Sequence, residues 1–410
     1  MNDLHRRALV RGVATFATVA FVGSILAWAL DGGDGEAATS PSSSVSPSPS
    51  VSVAPPAPST WLTWVPGGLP ASYGDLVSTV PDVVASTTAT ADIAWMTASL
   101  DADGNGVDEP QAPMMIPLEV TGVDPTFTAF IPQPERQLVQ NLRADEGILS
   151  ESEAQLRGLG PGATLLFRGG ERIEVVGTLP DVLMGAYELL VSRETGARLG
   201  VTHERYVLFH LRPASELTTA DLVPAFRDLL PADTPYPAVE VRAPGDTNYL
   251  RANDRAIPPV QLKLKFGEFE AHPSTSTSTD LVIDATWIQD HIQSATLPLL
   301  GTVTCHVKTL YLLKRAMKAL GAADGTDPVT DVGACFDPTA SPNDPSGPLT
   351  AAAWGAAIDI NPSGNPPGDR PSQPKELVQE MYRWGYGWGG NDAYPQGALF
   401  RYRKPPVPQD

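Results

Sequence analysis

Apolar residues fall into three patterns along this chain. The first is unbroken: Gly12 to Leu30 is an uncharged apolar run, preceded by Arg6, Arg7 and Arg11 and ended by Asp31. It is long enough to cross a bilayer as a helix, and its basic flank predicts a cytoplasmic N-terminus and an exported remainder. The second pattern is short and strand-like. Ala163 to Arg168, the turn Gly169-Gly170 and Glu171 to Val176 predict a hairpin, and Tyr187–Val191 and Arg205–Leu211 predict further strands. The third is helical. Leu310, Leu313, Met317 and Leu320 make one stripe before Gly321, and Leu377, Met381 and Trp384 make another between Pro374 and Gly385. Ser150 with Glu153 forms a capping box, Thr219 predicts a second helix start, and Gly355–Ile360 predicts a buried strand.

Between the first run and the folded part, Ser40 to Pro58 holds eight Ser and six Pro in nineteen residues. Such a stretch buries no core and reads as an extended spacer, reaching about 90 Å from residue 31 to 60 at ~3.1 Å per residue. The predicted organisation is a basic segment 1–11, a membrane segment 12–30, a Ser/Pro linker 31–60, a mixed α+β domain 61–255 and an α+β domain 256–410. The apolar run fits a retained signal-anchor, giving a single-pass membrane protein with extracytoplasmic domains. It also fits a cleaved signal peptide, given Ala37 and Ala38, which would release a secreted protein. Arg6-Arg7 further resembles a twin-arginine signal.

Composition narrows the partners. Acids outnumber bases 47 to 28, for a net charge of −19. No basic run lies beyond the first eleven residues, so nucleic acid is excluded as a partner. The same balance excludes adhesion to anionic lipid beyond the N-terminal segment. The two cysteines, Cys305 and Cys335, are either a disulfide or two buried thiols; an oxidising compartment favours the bond. Closing that loop of about 30 residues would add about 3 kcal/mol. Asp101, Asp103 and Asn105 resemble the start of a calcium loop with Gly106 at the sixth position, but Ala112 stands at the twelfth, where a bidentate Glu belongs. An acidic surface turn is the simpler reading.

Two family resemblances follow from motifs. Gly147-Ile-Leu-Ser-Glu, Gly160-Pro-Gly-Ala-Thr-Leu and Glu171 to Gly177 resemble the periplasmic core domain of bacterial ABC-transporter permeases, which implies a fold and no function. Residues 264–403 resemble the VanY-type zinc D-alanyl-D-alanine carboxypeptidases. The stretches that carry this are Phe266-Gly-Glu-Phe269, Trp287-Ile-Gln-Asp-His-Ile292, Leu300-Gly-Thr-Val-Thr-Cys-His306, Gly333-Ala-Cys-Phe-Asp-Pro338, Leu349 to Pro362, Met381 to Gly390 and Pro395 to Arg401.

That family implies one zinc held by His, Asp and His, a carboxylate base and an arginine. Its S-x-H-x-x-G-x-A-x-D pattern falls on Thr350 to Asp359. Gly355, Ala357 and Asp359 match, while the histidine position is Ala352. Its D-x-x-H-F-E pattern falls on Gln396 to Arg401: the base position is Gln396, the second histidine Leu399 and the glutamate Arg401. The arginine position, after Phe336-Asp-Pro338, is Thr339. Asp359 is thus the single ligand retained. None of the six histidines sits at ligand spacing from it.

The expectation is a non-catalytic relative that binds a peptidoglycan stem peptide or an envelope protein, with no resident cofactor. The alternative is a metallopeptidase with an atypical site. Trp384, Tyr386 and Trp388 either flank a cleft or pack the scaffold, and packing is favoured. Serine-hydrolase, zincin and phosphate-loop motifs are missing from the sequence.

Overall fold

Val83–Leu100 is an 18-residue strand (β2) in the computed structural model. At about 3.3 Å per residue it would reach ~60 Å if straight, so it must coil. It bends through register shifts beside Met96 and near Leu100, and pairs in turn with four other strands. The structure describes residues 60–185, 187–234, 237–244, 257–274, 280–321, 328–340 and 349–403. The segments 1–11 and 12–30, and the linker 31–60 up to its last residue, lie outside the described residues. Among the described residues no helix is long and apolar enough to cross a membrane.

The remaining strands of the first part are β1 (Thr60–Trp64), β3 (Gly106–Asp108), β4 (Ile116–Val123), β5 (Glu146–Ser150), β6 (Thr164–Phe167), β7 (Arg172–Leu179), β8 (Leu189–Ser192), β9 (Glu204–Leu211) and β10 (Glu240–Arg242). Their order is β10-β1-β9-β2-β4-β8-β5-β7-β6, and β6 returns to pair with the far half of β2. Six strands, β2-β4-β8-β5-β7-β6, therefore close on themselves as a small barrel, which removes edges that would otherwise be exposed. Met96, Leu118, Leu149, Leu165, Ile173 and Leu189 pack together in one buried cluster of this sheet. The expected hairpin is β6–β7, and Ser150 caps the helix Glu151–Arg157 by accepting a hydrogen bond from the Glu153 N–H at 3.1 Å. The second helix is capped by Thr218, one residue before the expected Thr219, because Thr218 and Asp221 exchange the reciprocal bonds of a capping box.

The second part surrounds its own core. The helix Pro259–Phe266 leads into the hairpin β11 (Ala271–Pro273) and β12 (Leu281–Ile283), the helix Ala285–His291, and the hairpin β13 (Ile292–Leu297) and β14 (Gly301–His306). The helix Val307–Gly321 follows and buries Leu310, Leu313, Met317 and Leu320, the predicted stripe. Gly321 is its last residue rather than its cap. A three-stranded sheet completes the part, in the order β15 (Ala357–Asp359), β17 (Leu399–Tyr402), β16 (Tyr386–Trp388). The helix Lys375–Arg383 packs beside it. Cys305 and Cys335 are disulfide-bonded.

Residues Pro56–Asp410 form one compact unit. Met115 and Ala271 exchange backbone hydrogen bonds of 2.9 and 2.8 Å between the barrel and β11. A buried ionic cluster reinforces this joint. Lys263 Nζ lies 2.6 Å from Glu188, 3.1 Å from Glu268 and 2.7 Å from the Pro117 carbonyl. Arg157 pairs with Glu153, with Asp108 at 3.1 Å and with Glu268 at 2.6 Å. The side chains of Lys263 and Glu188 are 0% exposed.

Candidate functional site

Four of the positions singled out in the sequence, Ala352, Asp359, Gln396 and Leu399, lie around one end of the β15–β17–β16 sheet. Asp359 ends β15, and its direct cross-strand partner on β17 is Leu399. Ala352 lies on the short 3-10 turn Ala351–Trp354 that feeds β15. Its carbonyl accepts the Asp337 N–H at 3.0 Å, which places Asp337 beside it. The Gln396 carbonyl accepts the Leu399 N–H at 3.0 Å. Residues roughly 60 apart in sequence thus meet through one strand pair and two turns. Asp337, Ala352, Asp359, Gln396 and Leu399 are all half-buried.

Two glycines make this convergence sterically feasible. A Cβ on Gly333 would come within 2.9 Å of the Asp359 Cβ. Gly355 has a φ of +61°, and a Cβ there would lie 2.6 Å from the His306 N. Both positions need glycine for close approach or for the left-handed backbone.

The electrostatics at Asp359 are unusual. Burial first, then the nearby Asp337 carboxylate, push its carboxyl up from the ordinary aspartate range to about 6. Asp337 is the residue that motif matching missed. It stands inside the quoted stretch Gly333 to Pro338, but only the fold brings it to Asp359.

The other sites fare differently. Arg401 is buried and paired with Asp392, so its charge is committed within the sheet. Thr339 bridges to Asp280 on the neighbouring loop, and its N–H bonds the Asp337 carbonyl at 2.8 Å. His306 is a core residue. Its Nε2 is 3.0 Å from the Phe266 carbonyl, its Nδ1 accepts from the Lys308 N–H, and burial pulls it down to about 4. Tyr386 is buried with its hydroxyl on the Thr309 carbonyl, and Trp384 and Trp388 pack against the same core. The Asp101 carboxylate turns inward on its own loop, accepting from the Asp103 N–H and from the Asn105 N–H and Nδ2. Asp103 and Asn105 are exposed on that turn between β2 and β3.

The residues present do not fit a three-ligand zinc. Ala352 and Leu399 carry no donor atom, and among the described residues no group of three or more His, Cys, Asp or Glu side chains is placed to hold a metal ion. The carboxylate pair can accept hydrogen bonds from peptide N–H groups, and a carboxyl titrating near 6 can also donate one.

No family model matches this chain, and no curated protein matches it. Among solved structures it is similar to the periplasmic region of MacB from Actinobacillus actinomycetemcomitans, at 12% identity and a TM-score of 0.31, over 45% of this chain and 88% of that one. It is also similar to the extracellular domain of the noncanonic ABC-type transporter YknZ from Gram-positive bacteria, at 13% identity and a TM-score of 0.27, over 41% of this chain and 93% of that one.

Proposed function

We propose that this chain is an exported cell-envelope protein whose second part is a D-alanyl-D-alanine carboxypeptidase-like scaffold turned from cleavage to binding. Residues 12–30 hold it at the membrane or are removed on secretion, and the Ser/Pro spacer sets the folded part away from the bilayer. The ligand at the Asp359 centre is a peptidoglycan stem peptide. One observation supports this reading: Asp359 lies opposite Leu399, Gln396 turns back onto Leu399 and Asp337 links Asp359 to the Ala352 turn, yet of these motif positions only Asp359 carries a metal-binding group. One carboxylate is too small a ligand set for catalytic zinc, because affinity rests on ligand number and geometry. Asp337 and Asp359 remain as acceptors for the amides of a bound peptide.

The test combines elemental mass spectrometry with a titration of the full-length protein by an acyl-D-Ala-D-Ala peptide. Saturable binding at about millimolar peptide or below, without zinc and without release of D-alanine, is expected. A flat titration removes the stem peptide and leaves an envelope protein as partner. One zinc per chain with release of D-alanine overturns the reading in favour of an atypical metallopeptidase. The double variant Ala352→His/Leu399→His should gain zinc affinity, because it returns two imidazoles to the side of Asp359.

A further inference from the structure

The sheet that ends at Asp359 is interrupted. Residues 331–334 extend it beyond β15: Gly333 N–H bonds the Asp359 carbonyl at 2.9 Å, Asp359 N–H bonds the Ala334 carbonyl at 3.1 Å, and Asn361 N–H bonds the Asp331 carbonyl at 2.8 Å. The next strand outward is β14, but contact with it is made only at one end. There Phe336 N–H bonds the Thr304 carbonyl at 3.1 Å, and the Cys305–Cys335 disulfide ties the same two segments. From that pinned end the two backbones part, leaving a groove of about 540 Å³ lined by Leu299–Thr304 and Val329–Phe336. This volume is in the usual range of ligand sites, roughly 300–1,000 Å³.

Both walls present unsatisfied backbone to the groove. In an antiparallel ladder, alternate residues point their N–H and C=O away from their partner strand. Thr304 and His306 do so on β14: the Thr304 carbonyl reaches Phe336, and the His306 N–H reaches Gly355. By the same alternation, the Thr302 N–H and C=O and the Thr304 N–H point outward too. On the opposite wall, Val332 pairs with Ile360 through bonds made by its neighbours, so its own N–H and C=O point away from β15. Among the described residues, none of these five groups has a backbone partner. Two half-ladders thus face each other across a gap that narrows to a hydrogen-bonded pair.

We infer that this slot between β14 and residues 329–336 takes an extended L-peptide segment of a partner protein as an added strand. The recognition is through the main chain, as in other strand-addition sites. The side chains around it, Thr302, Thr304, Thr330 and Asp331, are small or polar, and Phe336 is the one aromatic ring among the lining residues. A sugar would call for an aromatic platform. D-configured residues do not keep the geometry of an L ladder, which separates this ligand from D-Ala-D-Ala. The disulfide holds the closed end and fixes where the two walls begin to part. The slot lies next to Asp359 through Gly333 and Ala334, but Asp359 is not among its lining residues, and the inference does not depend on the reading given under Proposed function.

The test uses the full-length protein and a capped peptide, Ac-Lys-Thr-Val-Thr-Val-Thr-Lys-amide, whose lysines suit a chain of net charge −19. Residue-resolved amide exchange and a titration are read together. Binding should slow exchange at Thr302, Thr304 and Val332. The same peptide N-methylated at alternate amides should not bind, because it cannot complete the ladder. Thr302→Pro removes one outward N–H, at an edge position that tolerates proline, and should weaken binding by about tenfold. Thr302→Ala keeps the N–H and should leave binding unchanged. The inference is overturned if those three amides do not respond to saturating peptide. It is equally overturned if the N-methylated peptide binds as well as its parent, or if Thr302→Ala weakens binding as much as Thr302→Pro.

Discussion

Two groups of carboxylates in this molecule have opposite surroundings. At the joint between the barrel and the second part, Asp108, Glu153, Glu188 and Glu268 enclose Lys263 and Arg157, and both cations are shut off from solvent. At the end of the β15–β17–β16 sheet, Asp337 and Asp359 lie half-buried near Ala352 and Leu399, and among the described residues no cationic side chain is paired with either carboxylate. The first group is a closed structural device, in which each of the two cations is held between carboxylates. The second is a half-buried pair of like charges, and its effect is a raised Asp359 carboxyl. Buried charge by itself therefore does not mark a site.

The sharpest way to break this contrast is Lys263→Met. It leaves Glu188 and Glu268 buried beside one cation fewer, and a broken buried pair typically costs about 3–5 kcal/mol. The midpoint of urea unfolding should fall accordingly. A loss below about 1 kcal/mol would mean the cluster relaxes into solvent and is not the joint described above.

A smaller effect concerns pH. Burial, only partly offset by Arg157, pushes Glu153 up from 4.5 to about 8. The native state therefore holds a proton that the unfolded chain releases, and stability falls as pH rises from about 4.5 towards about 8, then levels. Glu268 acts in the opposite sense. Burial opposes its ionisation, but Lys263 and Arg157 outweigh that and hold it below the ordinary range. Its contribution is present above the unfolded glutamate pKa and is lost as pH falls through its lower folded value. Glu153→Gln should flatten the fall between about pH 4.5 and about pH 8 and leave the Glu268 limb at lower pH in place. Unfolding midpoints measured between about pH 3 and pH 8 would show whether the two limbs separate in this way.

The smallest effect is at the Asp337–Asp359 pair. Asp337→Asn removes the second cause of the Asp359 shift and leaves the first, burial. The Asp359 carboxyl should drop below about 6 but stay above 3.8, read by carbon NMR of the side chain. A full return to 3.8 would make charge, not burial, the larger cause. Stability should change by less than about 1 kcal/mol, far less than for Lys263→Met.

Local signals in the sequence were enough to place several elements. The hairpin around Gly169-Gly170, the Ser150 cap and the stripe Leu310 to Leu320 each depend on residues a few positions apart, so composition and period determine them. Spacing and redox context pointed to the Cys305–Cys335 bond. What only the tertiary structure decided is non-local. The long strand β2 closes a barrel through its pairing with β6, and nothing within Val83–Leu100 specifies that partner. The partners of Lys263 come from three separate stretches of chain, at Pro117, Glu188 and Glu268. Asp337 reaches Asp359 because the 331–337 segment lies between β15 and the Ala352 turn. The slot beside β14 exists only because two backbones diverge. Periodicity reports which face of an element is buried; it carries no information on which distant element covers that face, because that choice is made by packing and by hydrogen bonds between segments far apart in the chain.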